Sequence, residues 1–154
     1  MTKKGLVPIL AVLFLGASVA VASDAFLGTW KLNEAKSKLD PAAGKNLTVV
    51  YAPQGDGVKV TVDGIDKDGK PAHNEWTGKY DGKDYPVIGD PSSDAWSCRK
   101  VDDRTLAMTV KKDGKVTYTG KLVVAPDGKS RTLTLNGTSP QGKKISLTAV
   151  YDKQ

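Results

Sequence analysis

One histidine, His73, and one cysteine, Cys98, limit what chemistry this chain can do. A nucleophile triad would have to be built on His73, leaving no second imidazole. Multi-histidine zinc sites and most transition-metal sites are thereby excluded. Glu34 and Glu75 are the only glutamates, and almost all of the aspartates fall in turn-like stretches where a structural role suffices. Asp66-Lys67-Asp68-Gly69 approaches a calcium loop, but its glycine comes too early and Thr77 stands where a bidentate glutamate is required. No catalytic residue, metal ligand or cofactor is therefore nominated, and the chain is not expected to be an enzyme. Cys98 alternates with Trp96 along one apolar face and reads as a buried, passive thiol.

The N-terminus has the form of a secretory signal peptide. Lys3 and Lys4 precede an apolar run from Leu6 to Leu15, followed by small residues from Gly16 to Ser23. The apolar run is too short for a permanent span, which needs roughly 20 residues. The best small-x-small site is Ala20-Val21-Ala22, so the expectation is a cleaved segment over 1–22 and one domain over 23–154, released to the periplasm or the medium. A single cysteine forms no internal disulfide there, so a packed core must supply the stability. The full chain carries a formal charge of +6, with lysines scattered over turns and outward positions. That pattern reads as a solvated surface rather than a nucleic-acid site. The chain is expected to be a monomer.

The elements that must position any site are short runs rich in Val, Thr, Leu and Tyr, separated by Gly and Asp turns. The spacing predicts strands near 27–32, 46–53, 57–65, 71–80, 84–88, 94–101, 104–111, 115–125, 130–138 and 143–151, in an antiparallel sandwich or barrel. Alternation is clear in Val58-Lys59-Val60-Thr61-Val62 and in Ile145-Ser146-Leu147-Thr148-Ala149, which gives each strand one wet face. Asp-Gly-Lys recurs at Asp68, Asp81, Asp113 and Asp127, as hairpin turns. Only Asn33 to Leu39 reads as helical, with Asn33 as its N-cap.

Phe26-Leu27-Gly28-Thr29-Trp30-Lys31-Leu32 resembles the first strand of the intracellular fatty-acid-binding proteins, and Gly28-x-Trp30 is shared with the wider lipocalin group. Ala149-Val150-Tyr151-Asp152-Lys153 is similar to their last strand. The chain also resembles small exported bacterial lipocalin-like proteins. The resemblance implies an all-β, single antiparallel up-and-down barrel of about ten strands, with one short helix near the N-terminus. It also implies a small hydrophobic or amphipathic ligand held inside. In those proteins an Arg-x-Tyr pair on the last strand holds the ligand carboxylate; Tyr151 matches the tyrosine, but Ala149 replaces the arginine. The expected ligand is therefore neutral.

In such a barrel the turns alternate between ends, so 33–45, 66–70, 89–93, 112–115 and 139–143 share one rim. Turning the apolar faces inward nominates Tyr51, Trp76, Trp96, Met108, Tyr118, Leu133, Leu135, Leu147 and Tyr151 as the ligand-binding lining. Trp30 is assigned as a plug at the opposite end. The alternative is a filled core whose rim or sheet surface serves as an interaction or inhibitor module.

Overall fold

The structure is a computed structural model, and it describes residues 24–41, 43–138 and 141–154. The expected signal segment and its cleavage site lie outside the described residues.

Ten strands close into one barrel: β1 (Gly28–Leu32), β2 (Lys45–Gln54), β3 (Gly57–Ile65), β4 (Pro71–Gly78), β5 (Asp81–Ile88), β6 (Ala95–Asp102), β7 (Thr105–Lys112), β8 (Lys115–Val124), β9 (Ser130–Thr138) and β10 (Lys144–Lys153). Each pairs antiparallel with its sequence neighbour, and β1 closes on β10 through Leu32 opposite Tyr151. The up-and-down barrel expected from the termini is thus present, and closure leaves no sheet edge unpaired. Alternation decides which way each side chain points. In β3, Val58, Val60 and Val62 are buried, while Lys59 and Thr61 between them are partly exposed.

The expected helix over 33–39 shrinks to one 3-10 turn, Glu34–Lys36. Asn33 caps it, its side-chain oxygen accepting from the Lys36 amide at 3.2 Å. The turn stops because the following backbone is taken by β10: the Lys38 amide donates to the Thr148 carbonyl at 2.7 Å, and the Thr148 amide donates back at 2.9 Å. One helical turn offers too few hydrogen bonds to compete with such pairing.

Of the four Asp-Gly-Lys segments, Asp68, Asp113 and Asp127 lie in hairpin turns. Asp81-Gly82-Lys83 instead starts β5, where the ladder with β6 skips between Asp81 and Asp84. The β4–β5 hairpin turns at Lys79 and Tyr80, so this Asp-Gly makes a bulge rather than a reversal. The β4–β5 seam is the barrel's sparsest pairing, with only Glu75 opposite Ile88 and Trp76 opposite Val87. An edge-to-face contact between Trp76 and Tyr85, centroids 5.8 Å apart, fills it from inside.

On the outer surface, His73 Nδ1 lies 2.6 Å from Asp63 Oδ1, and Glu75 stands 3.6 Å from the other ring nitrogen. These carboxylates raise the imidazole pKa above its ordinary 6.5, the Asp63 hydrogen bond most. A raised folded pKa adds stability that is complete below pH 6.5 and is lost as pH rises through the folded value. NMR titration of this sole imidazole should give a midpoint above 6.5, falling in Asp63→Asn; a midpoint at or below 6.5 would show that the pair does not form in solution.

Candidate functional site

The barrel interior differs at its two ends. At one end, where β1 begins and the chain terminates, Trp30 is 0% exposed, Phe26 1% and Val124 1%. The Trp30 indole N–H donates to the Phe26 carbonyl at 2.9 Å, and Phe26 meets Tyr80 edge-to-face at 5.6 Å. This aromatic plug is where Trp30 was expected. Gly28 at its base has φ +119, and a Cβ there would sit 2.9 Å from the Lys153 side chain, so a side chain rather than a strand backbone makes the close approach.

The other end carries the described segments 33–41, 43–44, 66–70, 89–94, 113–114 and 141–143, the rim expected from the alternation of turns. Here several inward side chains are only half-buried, although Val62 and Val110 near the same rim are buried. Trp96, Tyr118, Leu133, Leu135 and Leu147 all keep some solvent contact, whereas Tyr51, Trp76, Met108 and Tyr151 deeper in the barrel are buried. Trp96, Leu133 and Leu147 pack on the buried core. The Tyr118 hydroxyl is pushed above its ordinary pKa by partial burial and then by Asp40 and Asp90 of two rim loops. The nine nominated residues therefore fall into a buried group and a solvent-touching group along one interior. Trp96 is fixed by the 89–94 loop: its N–H donates to Ser93 Oγ at 2.9 Å, and Trp76 N–H donates to the Trp96 carbonyl at 3.1 Å.

Three described clefts, of about 350, 270 and 410 Å³, lie at hairpins on the rims. None is lined by a nominated residue.

Cys98 is 3% exposed, and burial pushes its thiol up to about 12. Thiolate is the reactive form, so labelling of the native protein should be slow and should become fast in denaturant. Fast native labelling would mark a reactive thiol instead.

One interior residue corrects the expectation of a lining without a cation. Arg131 is 3% exposed. Its guanidinium carbon lies 4.6 Å from the Tyr51 ring centroid, 4.8 Å from Trp30 and 5.1 Å from Tyr151. Period-two alternation contained the signal, since Leu133 and Leu135 inward on β9 require Arg131 inward as well. Burial lowers the guanidinium pKa, while the Tyr51 and Tyr151 phenols oppose that shift; Tyr151 itself is pushed up to about 12 by burial.

No family model and no curated protein matches this chain. Six solved chains match it. One is a redesigned β-barrel, mFAP1, bound to DFHBI, which is 16% identical over 84% of this chain and 95% of its own length, with a TM-score of 0.46. That likeness is too distant to bear on a ligand for this chain.

Proposed function

We propose that this protein is an exported, non-enzymatic binding protein for a small apolar or amphipathic molecule, which enters the barrel at the rim opposite the Trp30 plug. The half-buried inward side chains Trp96, Tyr118, Leu133, Leu135 and Leu147 toward one rim carry this reading. Apolar and aromatic side chains that point inward yet touch solvent are what a binding mouth presents, and a plug at the far end gives that mouth a floor. The resemblance of the terminal strands to lipocalins and fatty-acid-binding proteins supports the reading, because β1 and β10 are neighbours in the closed barrel.

Native mass spectrometry of the protein purified from its own envelope tests it. A co-purifying small molecule is expected; a co-purifying protein with an empty barrel would establish the interaction-module alternative. Export rests on residues 1–22, and N-terminal sequencing of protein recovered from periplasm or medium should begin at Ser23. An intact Met1 on that material would refute cleavage.

A further inference from the structure

The outer face of β3 and β4 carries a polar arrangement unrelated to the barrel interior. Asp63 stands directly across the ladder from His73, and Glu75 follows two residues later on β4, so the three side chains share one face. Asp63 Oδ1 lies 2.6 Å from His73 Nδ1. An ionised carboxylate only accepts, so Nδ1 carries the proton and the neutral imidazole keeps its lone pair on Nε2. That nitrogen faces Glu75 Oε1 at 3.6 Å, too long for a hydrogen bond. Two acceptors facing each other call for a cation between them. A proton on Nε2 serves when the ring is charged; when it is neutral, a metal ion can take that place. Two donors held at about 2.0–2.2 Å by one tetrahedral zinc stand about 3.3–3.5 Å apart, close to the separation found here.

We propose that His73 Nε2 and Glu75 Oε1 are the protein ligands of a surface site for a divalent transition metal of the zinc class, with Asp63 orienting the imidazole from behind. Among the described residues no group of three His, Cys, Asp or Glu side chains converges on a metal position, so two protein donors hold the ion and water completes its coordination. A carboxylate behind a ligating histidine fixes the tautomer and raises the basicity of the bound nitrogen, worth roughly 10–100-fold in metal affinity. The His73, Asp63 and Glu75 side chains are 55%, 59% and 37% exposed, so a hydrated ion reaches them without any movement of the barrel. An imidazole donor favours zinc, copper or nickel over magnesium or calcium. The opposing term is Lys59, whose Nζ lies 2.9 Å from the same Glu75 oxygen and must yield it. A search for multi-histidine spacing passes over this site, because its orienting group comes from the neighbouring strand. It is independent of what the barrel holds.

The test titrates zinc chloride into the untagged protein at neutral pH, read by calorimetry and by the ring-nitrogen NMR signals of the sole imidazole. One-to-one saturable binding is expected, with Nε2 shifting and Nδ1 remaining protonated, and magnesium chloride should leave the ring unmoved. Glu75→Gln and Asp63→Asn should each weaken zinc binding about tenfold or more. Asp63→Asn should also release the tautomer, a signature that a merely structural residue would not give. Lys59→Met should tighten binding, since no ammonium then competes for Glu75, and His73→Gln should abolish it. If a variant does not fold, the wild-type ring signals still decide. An imidazole unmoved by excess zinc, or zinc affinity unchanged in His73→Gln, overturns the assignment.

Discussion

Trp30→Ala is expected to destabilise the protein by about 3–5 kcal/mol, the usual cost of deleting a buried indole. Three losses coincide at this site. The ring is 0% exposed, so its removal leaves a cavity in the barrel floor. The Phe26 carbonyl loses its donor at 2.9 Å, and an orphaned buried acceptor costs about 1–3 kcal/mol in its own right. Arg131 also loses one of its three aromatic neighbours, and Lys153 Nζ, 5.2 Å from the same ring, loses its contact. Urea unfolding followed by far-UV circular dichroism measures the change. Trp30→Phe should fall between wild type and alanine, since it keeps a ring and drops only the indole N–H. A loss below about 1 kcal/mol for alanine would show that the floor closes without the plug.

The second large effect is expected at Gly120. A Cβ there would lie 1.8 Å from the Thr134 carbonyl oxygen and 2.8 Å from its carbon, both backbone atoms of the paired strand. Neither can rotate aside, so any side chain must force β8 and β9 apart. The backbone at Gly120 is not left-handed, and the constraint is steric: this is where one strand bends close over its neighbour as the sheet curls into a barrel. Gly120→Ala should cost about 2–3 kcal/mol, in the range of an overpacked core. Hydrogen exchange should localise the damage to the ladder around Thr119 opposite Asn136 and Lys121 opposite Thr134. Wild-type stability in this variant would mean that the strands separate easily there. Gly55, at the tip of the β2–β3 hairpin, makes a useful contrast: its Cβ would meet nothing within 4 Å, and its φ of +58 is the whole of its constraint.

Much of the fold was legible in the chain because local rules are strong in antiparallel barrels. Strand positions followed from alternation and turn residues, and the observed bounds lie within a few residues of the expected ones, the start of β5 differing most. Hairpin connections between successive strands also settle which turns share an end. The assignment of Trp30 to the closed end follows from the same count, since β1 starts where the first hairpin turns.

What stayed illegible depends on which partner wins when two are available. Asn33 to Leu39 has the capping residue of a helix, yet Lys38 finds Thr148 of β10, more than a hundred residues away in the chain, and the pairing ends the helix after one turn. Asp81-Gly82 has the residues of a hairpin, yet it is used as a bulge because Lys79 and Tyr80 already reverse the chain. The tightness at Gly120 exists only once Thr134 is laid beside it. Arg131 is the sharpest case. By itself the sequence determined the barrel, the inward face of each strand and the scarcity of catalytic groups. It also determined, through the parity of Leu133 and Leu135, that Arg131 points inward. Only the tertiary structure decided that three rings from β1, β2 and β10 gather around that cation with no carboxylate pairing among the described residues, because what faces a buried charge is set by strands distant in sequence meeting across a closed barrel.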